Sequence, residues 1–259
     1  MHVFAGVLSY EYRMSIRRPL FWCVFGILVL WQIQGILLTL GIQGIWNYPG
    51  EALWQIGGSR VFGLNMFMPL AAGILLADRL VRDRHLQLDN LLPSFPLKPW
   101  PYLLGKYTGA LLSGLTPAFI TLCFFGLSWL QRGVFVKDLL ILALAFLSIT
   151  VPAYVFVTAF SLACPLIMPL RVYQVLFAGY WIWGNYINPD AIPTLRGTLL
   201  SANGELAHQG LFGGWTNAPA GWIRYTPLDA VLNILVLMLC SLAVLVAAER
   251  YCAWQKKQL

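Results

Sequence analysis

The sequence predicts an all-α integral membrane protein with six transmembrane helices, because its composition, its hydropathy and its apolar runs agree. Of its 259 residues, 59% are hydrophobic and 10% are charged, whereas soluble domains contain about 25% charged residues. The mean hydropathy of +0.71 is typical of a chain with several apolar spans. The sequence shows neither an internal repeat nor a soluble second domain, so residues 1–259 are predicted to form one transmembrane domain.

The first segment, residues 2–18, is predicted to be a helix that lies in the membrane interface. Val7 and neighbouring apolar side chains lie on one flank of this helix, and Arg13 and Arg17 lie on the other. Glu11 interrupts the apolar flank, so the amphipathic pattern is incomplete.

Six apolar runs follow, and most of them reach the roughly 20 residues that cross a bilayer. The predicted spans are residues 20–46, 61–77, 102–130, 139–163, 172–187 and 228–248. A short polar turn with aromatic residues separates the first two spans, and Pro117 is predicted to kink the third. The fifth span is the shortest and most polar, and its Gly179 and Gly184 are predicted to let neighbouring helices approach closely.

The longest hydrophilic connection, residues 188–227, lies between spans five and six and is predicted to contain one or two short helices near residues 194–209. The distribution of basic residues sets the orientation, since Lys and Arg are enriched on the cytoplasmic side. Twelve of the 17 Lys and Arg fall on the same side as the N-terminus. Both termini are therefore predicted to be cytoplasmic, and the long connection is predicted to be external.

Residues 78–101, between spans two and three, form the most highly charged part of the chain. If the second span continues as a helix past Asp78, then Leu88, Leu91 and Leu92 fall on one stripe at helical spacing. Four prolines between positions 93 and 101 then end the helix. Such an element suits either a cytoplasmic loop lying on lipid headgroups or a docking site for a soluble partner, and spacing favours neither.

The sequence lacks the patterns that catalysis or ion coupling require. It contains no HExxH and no GxSxG motif, and its three histidines are far apart and are interpreted as surface or interface residues. No acidic residue is predicted to be buried inside a span, which argues against coupling to protons or sodium. The phosphate-binding motif GxxxxGK[ST] is also absent, so any ATPase that drives this protein must be a separate subunit.

The segment from Arg82 to Leu112 resembles the coupling region of the type-2 permeases of ATP-binding-cassette exporters. In that family an acidic residue precedes a leucine pair, a Ser-x-Pro turn, a basic position and a Gly-Lys pair that opens the third span. The matching positions here are Asp83, Leu91, Leu92, Ser94, Pro96, Lys98, Gly105 and Lys106. The interfacial helix 2–18 is similar to the family's elbow helix, and the connection 188–227 is similar to its external helices. The sequence departs from the family at Arg82-Asp83-Arg84, where many members have a Glu-rich start followed by Gly-Thr.

The resemblance implies a prokaryotic exporter permease in the cell membrane that has no enzymatic activity or bound cofactor of its own. It implies two copies of a partner ATPase subunit, which bind ATP and Mg, and a second permease subunit that is identical or homologous. The residues implied to couple to the ATPase are Asp83, Leu88, Leu91, Leu92, Ser94 and Pro96. Membrane lipids are the remaining expected partners, and no alternation of aromatic with basic residues points to nucleic acid.

Polar faces on three spans are candidates for a substrate path. Their residues are Gln32, Thr39 and Gln43 on span one, Thr150, Tyr154 and Thr158 on span four, and Tyr173, Tyr180 and Asn185 on span five. The alternative interpretation is that they hydrogen-bond between helices of one subunit. An apolar and aromatic lining without fixed charge favours a hydrophobic or amphipathic substrate, such as a lipid, a peptide or a drug.

Two other functions agree with the same sequence. The chain could serve as a membrane anchor or assembly factor that transports nothing, or as a membrane enzyme that acts on lipids. Purification from native membranes distinguishes these alternatives, because an exporter permease is expected to bring an ATPase subunit with it.

Overall fold

The computed structural model describes residues 2–42, 50–85, 99–131, 134–189, 192–214 and 225–255. Its regular elements within these ranges are all helical, which confirms the all-α prediction. Four stretches are long and apolar enough to cross a membrane, namely Leu53–Asp83, Trp100–Leu130, Leu139–Leu166 and Pro227–Gln255. A fifth candidate arises if the pair Val3–Ile16 and Pro19–Gln34, bent by 69°, counts as one span. These helices are compatible with a multi-pass membrane protein, and six spans stay a prediction.

Eleven α-helices are described, and we number them in chain order. They are α1 (His2–Ile16), α2 (Pro19–Ile42), α3 (Gly50–Leu64), α4 (Met68–Leu75), α5 (Arg79–His85), α6 (Pro99–Leu130), α7 (Leu139–Ala145), α8 (Val151–Ala163), α9 (Leu170–Asn185), α10 (Glu205–Phe212) and α11 (Pro227–Gln255). One turn of π-helix, Phe146–Thr150, joins α7 to α8 without interrupting the span. The core lies between α4, α6 and α8, with α11 packed along the outer side of α8.

Helix α1 packs along the N-terminal half of α6, and two glycines allow the close approach. A Cβ atom added to Gly105 would lie 2.9 Å from Val7 Cβ, and one added to Gly109 would lie 2.8 Å from the Leu8 carbonyl oxygen. The two glycines are four residues apart and therefore lie on the same face of α6. Along that face, α1 is therefore packed directly against α6.

Substitution of Gly109 by Ala is expected to lower stability by about 1–3 kcal/mol, because the new methyl group forces α1 away from α6. The matched control is Gly179→Ala on α9, where an added Cβ has nothing within 4 Å. That control is expected to be neutral or to stabilise by up to about 1 kcal/mol, since Ala is the better helix former. Thermal unfolding in detergent measures both changes. Equal midpoints for the two variants would contradict the close α1–α6 contact.

The second span begins earlier than the sequence predicts, because α3 already starts at Gly50. The described part of the expected polar turn, from Gly50 onward, is helical, and side chains from it have partners elsewhere in the protein. Trp54 Nε1 donates a 2.7 Å hydrogen bond to the Leu211 carbonyl, and its ring stacks on Phe212. Gly57 packs against Ile141, where an added Cβ would lie 2.9 Å from the isoleucine side chain.

The connection at residues 188–227, predicted to be external and to contain one or two short helices, is folded into the helical bundle where the structure describes it. Residues 201–208 are all buried, and α10 packs against α3 and α11. Asn185 Oδ1 at the end of α9 accepts hydrogen bonds from the backbone nitrogens of Ala202 and Asn203, at 2.9 and 3.1 Å. Side-chain amides therefore replace the regular backbone partners that this segment lacks.

Two further asparagines fix the same segment from other helices. Asn65, in the break between α3 and α4, donates to the Asn203 carbonyl at 3.0 Å. Asn233 on α11 donates to the Leu199 and Ser201 carbonyls at 2.9 and 3.0 Å. The connection is thus tied to the α3–α4 break, to α9 and to α11.

Within the described part of the chain, no other helix approaches Gly179 or Gly184 closely, unlike the prediction. Gly179 has open space beside it, and the nearest atoms to Gly184 belong to Tyr180 of its own helix. On α9 the close contact comes instead from Phe177, whose ring lies directly against Gly73 of α4. The glycine that permits the close approach is therefore on α4 and not on α9.

Candidate functional site

Buried charged residues lie together where the segment between spans two and three meets the bundle. Lys106 Nζ on α6 lies 2.7 Å from Glu11 Oε1 on α1, and both side chains are only 3% exposed. Lys106 also forms an ion pair with Asp83 on α5, and Asp83 accepts a hydrogen bond from the Tyr102 hydroxyl. One lysine therefore joins three helices in a water-excluded setting, where electrostatic interactions are stronger than in water.

A second cation, Arg79 on α5, completes this group with longer contacts. Its side chain is 1% exposed, and its Nη1 lies 3.8 Å from Glu11 Oε2 while its Nε lies 3.5 Å from Asp78 Oδ1. Asp78 in turn pairs with Arg18 at 2.8 Å, nearer the surface. We call Glu11, Arg18, Asp78, Arg79, Asp83 and Lys106 the ionic cluster. Its three acids balance its three bases, which makes burial of these charges tolerable.

Two acidic residues outside the predicted spans are buried in the protein, which the sequence did not indicate. Glu11 is 2% and Glu205 4% exposed. Each is buried because a cation accompanies it: Lys106 pairs with Glu11, and Arg196 binds Glu205 with two hydrogen bonds of 2.8 and 2.9 Å. Glu11 interrupts the apolar flank of α1 because that position faces α6.

Of the residues predicted to couple to an ATPase, Asp83 alone lies within the described part of the chain. The structure places it in the ionic cluster, on the last described helix before the predicted leucine pair. The remaining members of the set lie outside the described residues: Leu88, Leu91, Leu92, Ser94 and Pro96. Their coupling role stays a prediction.

The polar residues predicted on span one are described only in part. Gln32 Nε2 donates a 2.7 Å hydrogen bond to the Gly63 carbonyl of α3, so this side chain bonds between helices. The side chain of Thr39 and the whole of Gln43 lie outside the described residues.

The three polar residues predicted on span four are turned into the interior of the protein. Thr150, Tyr154 and Thr158 are all 0% exposed. The Tyr154 ring lies against Gly114 of α6, beside Leu76 at the end of α4. Their hydroxyl oxygens form no hydrogen bond with any part of the chain that the structure describes.

The residues predicted on span five have separate roles. Asn185 holds the connection after α9, as described above. Tyr173 and Tyr180 instead line a cleft of about 350 Å³ between α8, α9 and α11. The Tyr173 hydroxyl bonds to Ser161 at 2.9 Å, which leaves the cleft almost wholly apolar. Phe160 and Phe177 supply aromatic surface, and such a cleft is of a size and character that suit an apolar ligand.

His208 on α10 is buried, so its interpretation as a surface or interface residue is wrong. Its Nε2 lies 2.9 Å from Ser59 Oγ on α3, and its ring stacks on Phe62 at 4.8 Å. Burial lowers the pKa of His208 to about 4, which keeps the ring neutral at neutral pH. Within the described ranges, no group of three or more His, Cys, Asp or Glu side chains is placed to hold a metal ion.

Neither known families nor curated proteins provide a relative for this chain. No family model matches the sequence, and no curated protein matches it either. The likeness to exporter permeases therefore depends on the residues between Arg82 and Leu112 and on the order of the elements.

Proposed function

We propose that this chain is the transmembrane permease subunit of an ATP-binding-cassette exporter and is driven by a separate ATPase subunit. The observation that carries the proposal is the ionic cluster at the base of the predicted coupling segment. Asp83 lies near the start of that segment, residues 78–101, and Lys106 lies just after its end, and the two side chains form an ion pair. The segment therefore begins and ends at helices that are bound to each other.

Rigid attachment is what a force-receiving segment needs, because a push on a loosely held loop is lost as local motion. Lys106 also binds Glu11, so the linkage extends from α5 and α6 to α1. The side chains of Glu11 and Lys106 are 3% exposed, and exclusion of water strengthens such contacts relative to surface pairs. We infer that displacement of the segment moves α1, α5 and α6 together.

The cleft between α8, α9 and α11 supports a hydrophobic or amphipathic cargo. Its lining is apolar and aromatic, and it includes Tyr173 and Tyr180, which were predicted to line the path. A cleft without a charged group in its lining gives no affinity for an ion or a sugar phosphate and suits a lipid, a peptide or a drug. We propose that a second permease subunit, identical or homologous, completes the path.

Purification from native membranes tests the proposal directly. The tagged chain is expected to bring down an ATPase subunit in about equal amount, since the proposed complex contains two copies of each kind of subunit. The eluate is then expected to hydrolyse ATP. A matched control is the same chain with residues 86–98 replaced by a Gly/Ser linker of equal length, which is expected to lose the ATPase. Recovery of the intact chain without any ATPase would favour the anchor or lipid-enzyme alternatives.

A further inference from the structure

Certain polar atoms are buried in the protein without a hydrogen bond to any described residue. The atoms are Glu11 Oε2, Asn65 Oδ1, Asp78 Oδ1, Arg79 Nε and Nη1, Thr150 Oγ1, Tyr154 Oη and Thr158 Oγ1. Such atoms are rare in proteins, because removal from water without a new partner is unfavourable. Their positions in the fold therefore indicate where the protein needs additional hydrogen-bond partners.

The two threonines differ from the other buried hydroxyl residues of the helices. Hydroxyl groups in transmembrane helices usually bond to a carbonyl one turn earlier. Ser113, Thr121, Ser161 and Ser241 all do so, at 2.7 to 3.0 Å. Thr150 and Thr158 are equally buried and do not. Their hydroxyl groups are thus left without a hydrogen-bond partner among the described residues.

Three of the unpaired hydroxyls lie in a line. Thr150, Tyr154 and Thr158 are spaced by four residues, so they share one face of the helix at intervals of about 6 Å. At one end, Asn65, whose Oδ1 is unpaired, donates to the carbonyl of Ile149, the residue before Thr150. In the middle, the Tyr154 ring lies beside Leu76 and Gly114. The line therefore runs along the span from the α3–α4 break.

We propose that a file of internal water molecules runs along this line and hydrogen-bonds to these atoms. The groups along the line suit such a file, since the hydroxyls both donate and accept and Asn65 Oδ1 accepts. Proteins hold about one buried water per 27 residues, which allows a file of this size in a chain of 259.

The internal water file gives the buried face of α8 a role different from lining the substrate path. It extends the asparagine contacts around residue 65 along the span through groups that exchange partners easily. The inference does not rest on the proposed transport function, since it concerns the hydration of a single chain.

X-ray hydroxyl-radical footprinting of the full chain in lipid nanodiscs tests the file, because radicals formed from bound water label the side chains beside it. We expect Tyr154 to be modified although it is 0% exposed. Phe25 is the internal control, since it is also 0% exposed but packs on the ring of Phe21 in apolar surroundings. Absence of label on Tyr154, or equal label on Phe25 from general opening, would overturn the proposal.

Isosteric variants provide a second test, because bound water and its absence predict opposite changes in the thermal midpoint. Thr150→Val and Thr158→Val keep the shape of the side chain and remove the hydroxyl. If water binds there, each change is expected to lower the thermal midpoint and to reduce labelling of Tyr154 several-fold. If no water binds to the hydroxyls, the thermal midpoint is expected to rise, because the substitution removes an unpaired polar group. Thr121→Val, whose hydroxyl bonds to the Pro117 carbonyl, is the matched control and is expected to leave Tyr154 labelling unchanged. A raised thermal midpoint or unchanged labelling of Tyr154 in the Thr150 and Thr158 variants would contradict the proposal.

Discussion

Replacing Lys106 with Met is expected to destabilise the protein by roughly 3–5 kcal/mol, which is the usual effect of removing one partner from a buried ion pair. Glu11 is 3% exposed and Asp83 13% exposed, so neither carboxylate can recover its lost interaction from solvent. Arg79 does not replace the lysine, because its nearest approach to Glu11 is 3.8 Å. Two negative charges would remain in a water-excluded site, with Arg79 3.8 Å from one of them.

Thermal or denaturant unfolding in detergent measures the effect of the Lys106 change. Arg250→Met is the matched control, since Arg250 is 84% exposed and lies 4.0 Å from Glu249. That control is expected to cost less than about 1 kcal/mol. The double variant Glu11→Gln with Lys106→Met is expected to recover part of the loss, because one stranded charge is gone. Equal stability of Lys106→Met and Arg250→Met would show that the ionic cluster does not hold the helices together.

Changing Leu91 and Leu92 together to Asp is expected to abolish transport while the chain still inserts into the membrane. Under the proposed function, this apolar pair sits in a cleft of the ATPase subunit, and two carboxylates there would lose their hydration without gaining a partner. The ATPase is then expected to hydrolyse ATP without response to cargo. Transport into inverted vesicles and cargo-stimulated ATP hydrolysis are the two measurements.

The matched control for the leucine change is Phe135→Asp with Val136→Asp. These two residues are also adjacent and apolar, are 69% and 72% exposed, and are predicted to face the opposite side of the membrane. Transport is expected to be unaffected by the control pair. Full transport by the Leu91 and Leu92 variant would remove the coupling assignment, even if an ATPase still co-purifies.

The helical fold could be predicted from the sequence because long apolar runs have few alternatives in a membrane. The stretch at residues 102–130 and the stretch at 228–248 are recovered as parts of α6 and α11. The start of α3 was missed for a physical reason. Gly57 and Gly58 look like turn residues in the sequence, but in the structure they permit contact with Ile141 and Phe212. Their role depends on partners that are distant in the chain.

The candidate site was predictable only in part, because its contacts join residues that no local pattern relates. Glu11 and Lys106 are separated by 95 residues, and periodicity around Glu11 shows only a break in the apolar flank. The burial of residues 201–208 was missed for a similar reason. The segment is polar by composition, and its burial depends on hydrogen bonds from Asn65, Asn185 and Asn233 on three other parts of the chain.

The seat of α1 on α6 has a consequence for the synthesis of the protein. At roughly 5–20 residues per second, the 95 residues that separate Glu11 from Lys106 take about 5 to 20 s to translate. Throughout that interval, neither Lys106 nor Gly109 of α6 has been made. Docking of α1 on α6 therefore waits for at least the first 109 residues, and a nascent chain that stops before residue 106 leaves Glu11 without its lysine partner.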